Sequence, residues 1–191
     1  MGEWMPCALR YSCLRVFILG IVLHLSLAGP VYSASNDSRE WEVCLAISAK
    51  KVGVPATLLH SIVDVESNGH PWTFGFRKEN GQWASRYLDD RQTAEKFLRY
   101  LWKAQLYFDA GLAQISSQNL ERFWRTKGIS PLDALEPCTN LQLAAIVLGE
   151  QIKKHGYTWG AIAGYNGSVK YIPRVWKALC QRQPMAGCPR G

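Results

Sequence analysis

Hydrophobic residues recur at helical spacing along most of the chain from residue 40 onward. This spacing predicts helices at residues 40–52, 55–67, 91–105, 118–126, 141–155, 159–164 and 172–180. Gly53 and Pro55 separate the first two helices, and Gly156 follows the fifth as a C-terminal cap would. The pattern therefore predicts a mainly helical protein.

The stretch between the second and third predicted helices has a different pattern. It is rich in aromatic residues from Trp72 to Trp83, and Asn80-Gly81 lies between its two halves. An Asn-Gly pair between such flanks is a strong signal for a β-hairpin, because both residues tolerate positive φ. The expected fold class is α+β, predominantly α-helical, with one small β-hairpin.

The N-terminus has the pattern of a secretory signal peptide. Arg10 and Arg15 precede the short apolar run 16–28, and small residues follow at Ser33-Ala34-Ser35. A spanning helix needs about 20 apolar residues, so an uncleaved anchor is the weaker alternative. We expect a signal peptide at 1–33 with cleavage after Ser33, or after Ala34, and a short N-terminal segment at 34–40.

Export changes the interpretation of the cysteines. Two of the six leave with the leader, and Cys44, Cys138, Cys180 and Cys188 remain. An even number in an oxidising compartment suggests two disulfides, for which four cysteines allow three pairings. Cys180 and Cys188 could close a small loop in a C-terminal tail at 180–191, and Cys44 and Cys138 would then tie the first helix to a later segment. The spacings do not match zinc sites. We expect no metal and no cofactor.

The charge balance is basic but scattered. The chain has 22 basic and 15 acidic residues, a net charge of +7. Residues 1–33 contain two arginines and one glutamate, so 20 basic and 14 acidic residues remain after export, a charge of +6. This balance favours an acidic or polyanionic partner, such as a cell-wall polymer, a membrane surface or a nucleic acid. No nucleic-acid-binding signature is present among the aromatic residues.

Glu66 is the strongest single candidate for chemistry. It follows Leu59, Ile62 and Val63 at spacings of seven, four and three, which puts it on the apolar face of the second helix. Burial disfavours the ionised form of a carboxyl group, and a carboxyl that stays protonated near neutral pH can act as a general acid. A glutamate at a helix end that turns out to water is the alternative.

Four motifs then occur in order: Glu66-Ser67, Asp109-Ala-Gly-Leu-Ala-Gln-Ile115, Pro137-Cys-Thr-Asn140 and Ala163-Gly-Tyr-Asn-Gly167. Together they resemble the soluble lytic transglycosylases of glycoside hydrolase family 23, which have a goose-lysozyme-like fold. The resemblance covers residues 41–179, the expected catalytic domain. The Pro-Cys-Thr-Asn run and the long stretch before Asp109 resemble small members associated with type IV secretion and conjugation.

The resemblance implies a periplasmic enzyme that cleaves the bond between N-acetylmuramic acid and N-acetylglucosamine in peptidoglycan. Glu66 would act alone, first as acid and then as base, and a 1,6-anhydro ring would form on the muramic residue. The implied partners are glycan strands and the proteins of a secretion or conjugation machine, without nucleic acid and without stable membrane insertion once the leader is cleaved. A hydrolytic muramidase and a non-catalytic wall-binding assembly factor are the alternatives.

The resemblance also implies substrate-binding roles for four residues. Gln114 would hydrogen-bond the glycan in the cleft. Tyr165 would reach the catalytic carboxyl or an acetamido group, and Asn166 would help to frame the cleft. Ser67, which follows the acid, would bind sugar or cap the helix.

Other positions in or near the motifs have supporting roles or depart from the family pattern. Asp109 is expected to hold a turn or cap rather than to react. Ala113 stands where the family usually has Met, which predicts a wider or flatter cleft, and Ser116 stands where Asn is frequent. Three tryptophans are expected to flank the cleft or to pack in the core: Trp72, Trp83 and Trp102.

Overall fold

The structure, a computed structural model, describes residues 34–185, 187 and 188. The expected signal peptide at 1–33 lies outside these residues. The described residues form seven α-helices: α1 (Ala34–Val52), α2 (Ala56–Ser67), α3 (Arg91–Lys103), α4 (Ser117–Lys127), α5 (Pro137–His155), α6 (Trp159–Asn166) and α7 (Ile172–Arg182). They also form four strands: β1 (Thr73–Arg77), β2 (Trp83–Tyr87), β3 (Phe108–Ala110) and β4 (Ile115–Ser116). Two short 3-10 helices, Pro131–Leu135 and Val169–Tyr171, precede α5 and α7. The fold class predicted from the sequence is confirmed.

All seven predicted helices are present, and two begin at least one turn earlier than predicted. The first begins at Ala34 instead of residue 40, so the expected short N-terminal segment is helical. The fifth begins at Pro137 instead of residue 141. Proline is favoured in the first turn of a helix, because its fixed φ suits the helix and its missing N–H has no partner there. The Pro-Cys-Thr-Asn motif is therefore the first turn of α5.

The predicted hairpin is part of a larger sheet. β1 and β2 pair antiparallel from Thr73↔Tyr87 to Arg77↔Trp83. The complete sheet has the order β2-β1-β3-β4, and β3 pairs antiparallel with β1 through Phe74↔Ala110 and Phe76↔Phe108. β3 and β4 were not predicted, since strands of three and two residues are too short to show an alternating pattern. The motif from Asp109 to Ile115 is thus a tight hairpin against β1.

The apolar core lies around α5, whose inner face is fully buried. α5 packs against α1 on one side and α6 on another, and α2 packs against α7. Leu59, Ile62 and Val63 of α2 have no solvent exposure, which confirms the apolar face predicted for that helix. None of the helices in the described part of the chain has the length and apolar character needed to cross a membrane.

Two disulfides join the four remaining cysteines in the pairing that the sequence favoured. Cys44 of α1 bonds Cys138 of α5, with a Cα–Cα distance of 5.1 Å. Cys180 of α7 bonds Cys188, with a Cα–Cα distance of 5.5 Å. The first bond links segments 94 residues apart and fixes the start of α5 against α1. The second closes a small loop at the end of α7.

Candidate active site

The end of α2 opens into a polar cleft of about 480 Å³. Its walls come from the sheet, from the start of α4, which directly follows β4, and from the end of α6, which is distant from both in sequence. The lining includes acidic, aromatic and amide side chains: Glu66, Trp83, Tyr107, Asp109, Gln114, Ser116, Tyr165 and Asn166. The cleft therefore collects residues from three of the four motifs.

Glu66 is half-buried in the last turn of α2, where the helix meets the cleft. Burial raises the pKa of its carboxyl above the usual value, because water no longer solvates the charged form. The Tyr171 hydroxyl, the positive charge of Arg174 and the Asn166 side chain oppose this and lower the pKa. The balance favours a carboxyl that retains its proton at higher pH than an exposed glutamate does, as a general acid requires.

Asp109 is a second carboxyl in the same cleft. The sequence-based expectation that it holds a turn or cap is wrong, since Asp109 lies within β3 and faces β4 across the register pair Asp109↔Ser116. Burial and the charge of Glu66 raise its pKa to about 7, and the Tyr107 hydroxyl, which donates to Asp109 Oδ1 at 3.2 Å, lowers it. Asp109 therefore lies near enough to Glu66 for the charge of Glu66 to raise its pKa.

The loop between β3 and β4 is held by a buried asparagine. Asn140, in the first turn of α5, donates from Nδ2 to the carbonyls of Ala110 at 2.9 Å and Ala134 at 2.8 Å. Its Oδ1 accepts from the Ala113 amide at 2.8 Å. Gly111 has φ +85°, and a Cβ there would lie 2.1 Å from Asn140 Nδ2. This contact explains why the motif has glycine at this position.

Gln114 lies in the cleft wall with φ 47°. Its Nε2 donates to the carbonyls of Thr73 at 2.8 Å and Gly111 at 2.9 Å, which ties the loop to β1. The amide nitrogen is thus occupied within the protein, and Oε1 is the atom that remains available as an acceptor.

Tyr165 and Asn166 come to the cleft at the end of α6. The Tyr165 hydroxyl donates to the Ala113 carbonyl at 2.9 Å, so in this structure it does not donate to Glu66. Burial and the charges of Glu66 and Asp109 raise the pKa of Tyr165 well above its usual value, which shows how near it lies to both carboxyls. Asn166 is exposed and close to Glu66.

Ser67 is not brought to the cleft. It is 1% exposed, and its hydroxyl donates to the Val63 carbonyl one turn earlier in α2. A sugar in the cleft cannot reach it. Ala113 is also fully buried and is not among the residues that line the cleft. Ser116 caps α4 by accepting from the Asn119 amide, and it lines the cleft.

Of the three tryptophans considered, one flanks the cleft. Trp83 at the start of β2 is 54% exposed, packs edge-on against Tyr107 and lies under the guanidinium of Arg77. Trp102 packs against Phe108 away from the cleft. An exposed indole beside two carboxyls is a suitable surface for stacking on a sugar ring.

Tyr171 is a further site residue that the sequence did not indicate. It lies at the end of the 3-10 helix before α7, and its buried hydroxyl has no well-formed hydrogen bond within the protein. Burial, first of all, and the charge of Glu66 raise its pKa, so the hydroxyl stays protonated beside the carboxyl. No cluster of three or more metal-ligating side chains occurs among the described residues.

The model of the family described as "Transglycosylase SLT domain" matches residues 44–178, which include every residue placed in the cleft above. The chain belongs to this family. Members of the SLT family are lytic transglycosylases that act on peptidoglycan, and this protein is an enzyme of that kind. Since peptidoglycan lies outside the cytoplasmic membrane, this SLT transglycosylase acts outside the cytoplasm.

Comparison with curated proteins gives distant relatives of this SLT transglycosylase. The chain is similar to Invasion protein IagB of Salmonella typhimurium strain SL1344, with 23% identity over 147 residues, which is 72% of this chain and 75% of the relative. Invasion protein IagB of Salmonella typhi is 22% identical over the same shares of both chains. No solved structure matches the chain significantly.

Proposed function

We propose that Glu66 is the catalytic residue of this SLT transglycosylase and that the enzyme releases 1,6-anhydromuramic products from peptidoglycan. The single observation that carries the proposal is the half-buried Glu66 carboxyl, with a raised pKa, at the end of α2 and on the wall of the cleft. Its substrate is the glycan strand, bound across β2, the β3–β4 loop and the end of α6.

In the proposed reaction the protonated Glu66 carboxyl donates its proton to the glycosidic oxygen. The bond from that oxygen to muramic C1 breaks, and C1 gains oxocarbenium character. The Glu66 carboxylate then removes the proton from the muramic C6 hydroxyl, and O6 bonds to C1 to close the ring. One residue serves both steps, because Glu66 becomes a carboxylate base once it has donated its proton. The reaction consumes no water.

Three neighbours support these steps in different ways. The Tyr171 hydroxyl and the Asn166 side chain stabilise the carboxylate formed after the first proton transfer. Gln114 presents Oε1, which can accept from a sugar hydroxyl or acetamido N–H. Tyr165 acts mainly as a support, because its hydroxyl holds the β3–β4 loop through Ala113.

The test is digestion of purified sacculi, with mass spectrometry of the soluble products. The wild type should release 1,6-anhydromuropeptides, and Glu66→Gln should reduce the rate by about 10²-fold or more, since general acid–base catalysis contributes about 10²–10⁴-fold. Glu42→Gln is the matched control, because Glu42 is an exposed glutamate on α1, and it should retain the wild-type rate. Anhydro products that persist with Glu66→Gln would contradict the proposal.

A hydrolytic muramidase is the second candidate, and Asp109 is the observation that favours it. A pair of carboxyls flanking the scissile bond is the usual arrangement of glycoside hydrolases, with one as acid and the other as nucleophile or base. In that case the same digestion would yield reducing-end muramic acid instead of the anhydro form. Asp109→Asn would then abolish the release of reducing ends, whereas a transglycosylase using Glu66 alone would keep its anhydro product.

We propose further that the protein is exported to the periplasm through its N-terminal leader and opens the wall locally for a secretion or conjugation apparatus. The leader pattern at 1–33 and the likeness to proteins named for invasion support this role. Deletion of the gene should reduce assembly of the apparatus while bulk growth stays normal, and complementation with the Glu66→Gln variant should fail. Full rescue by that variant would favour a non-catalytic assembly factor instead.

A further inference from the structure

A second groove, of about 600 Å³, lies between the end of α2 and α7. Val65 and Asn68 contribute from α2, and Arg174, Lys177 and Gln181 contribute from α7. Val65 directly precedes Glu66 in the chain. The lining of this groove thus begins one residue before the candidate acid.

The wall that α7 contributes is basic. Arg174 and Lys177 line the groove from one side of α7, three residues apart, and Lys170 lies just before them, in the 3-10 helix that leads into α7. All three are exposed. Among the residues that the structure describes, neither Lys170 nor Lys177 has an acidic partner within ion-pair distance.

The acidic side chain in the groove is already neutralised. Asp64 receives two hydrogen bonds from Arg182, one to each carboxyl oxygen, and the second measures 2.7 Å. This pair also links α2 to α7 and so fixes the groove walls relative to each other. The charge that remains toward solvent is that of Arg174 and the two lysines, so the groove attracts anions.

Arg174 connects the groove to the catalytic carboxyl. Its guanidinium donates to the Val65 carbonyl at 2.9 Å, and its positive charge partly opposes the rise that burial causes in the pKa of Glu66. Arg174 therefore belongs to the groove and at the same time acts on the catalytic carboxyl.

We propose that this groove binds the carboxylates of the stem peptide carried by the muramic acid residue at the scissile bond. The inference rests on the proposed function. Peptidoglycan differs from a plain amino-sugar polymer in these peptides, which bear free carboxylates and project from the glycan beside the bond that is cut. A basic groove next to the cleft provides the complementary charge, and it gives the enzyme a way to distinguish peptide-bearing strands from bare ones.

The test compares two substrates prepared from the same sacculi: peptide-bearing strands, and strands from which an amidase has removed the peptides. Charge reversal in the double variant Lys170→Glu/Lys177→Glu should lower kcat/KM on peptide-bearing strands by about tenfold, as expected for the loss of two exposed ion pairs. The rate on peptide-free strands should not change. Lys153→Glu is the matched control, because Lys153 is an exposed lysine at the end of α5.

Salt and a binding measurement complete the test. The preference of the wild type for peptide-bearing strands should fall between 0.05 and 0.5 M salt, because screening weakens exposed charge pairs. Equal losses on both substrates, no loss on either, or the same loss with Lys153→Glu would overturn the proposal. Titration of a free stem peptide, followed by NMR shifts at Lys177, separates failure of the groove from failure of the proposed reaction, because it requires no cleavage.

Discussion

Replacement of Asp109 by asparagine should stabilise the protein in a pH-dependent way. The carboxyl of Asp109 lies in the cleft beside Glu66, where burial and the charge of Glu66 raise its pKa from 3.8 to about 7. Below pH 3.8 the group is protonated in both the folded and the unfolded state. As the pH rises from about 4 to about 7, the unfolded chain releases this proton first, so the wild type loses stability across that window.

The size of the effect follows from the pKa difference. A shift of one unit corresponds to about 1.4 kcal/mol, so the rise to about 7 corresponds to about 4 kcal/mol at most. Solvent in the open cleft reduces the energy below this limit. Asparagine has nearly the same shape and cannot ionise. Asp109→Asn should therefore unfold like the wild type at pH 3 and be more stable than it at pH 8, by about 1–4 kcal/mol.

The assay is urea unfolding of both proteins at a series of pH values from 3 to 8. Asp89→Asn serves as the control, since Asp89 is exposed and outside the cleft, and it should show no gain that depends on pH. In a Glu66→Gln background the pKa of Asp109 should fall below 7, because one of the two causes of its rise is gone, and ¹³C NMR of the carboxyl can follow this. Equal stability of wild type and Asp109→Asn at pH 8 would refute the reasoning.

Three further predictions concern the cleft and its supports. Trp83→Ala should raise KM for glycan strands by about two- to tenfold with a smaller change in kcat, while Trp124→Ala, at a similarly exposed indole outside the cleft, should leave KM unchanged. Asn140→Ala should lower the free energy of unfolding by about 3 kcal/mol or more, since three buried backbone groups lose their partner, and a loss below about 1 kcal/mol by urea unfolding would contradict this. Removal of the Cys44–Cys138 bond should lower the free energy of unfolding by about 2–5 kcal/mol. This loss should exceed that from removal of the C-terminal disulfide, because the Cys44–Cys138 bond closes the longer loop. Thermal unfolding of the two double-cysteine variants tests that order.

Much of the fold was predictable because its signals are local. Leu59, Ile62 and Val63 repeat at helical spacing, so the sequence places Glu66 on the apolar face of α2 without further information. The Asn80-Gly81 turn fixes the β1–β2 hairpin in the same way. Helix starts were less accurate, as at α1 and α5, because apolar periodicity weakens where a helix leaves the core.

The candidate site was only partly predictable. The motif resemblance indicated Gln114, Tyr165 and Asn166, and all three line the cleft. It also indicated Ser67, which the structure buries against Val63. Neighbours in sequence on a helix point in directions about 100° apart, so Glu66 and Ser67 cannot both face the cleft.

The sequence by itself determined the helices, the hairpin, the favoured disulfide partner of each of the four cysteines and the identity of one buried acid. Only the tertiary structure decided what surrounds that acid. Asp109 lies near Glu66 on β3, and Tyr171 lies near it on the 3-10 helix before α7. The sequence marked Asp109 only as the first residue of a motif, with the role of a turn or cap, and it did not mark Tyr171. The pKa of a carboxyl depends on the charges and the solvent within a few ångströms of it, and that environment exists only after distant segments have packed together.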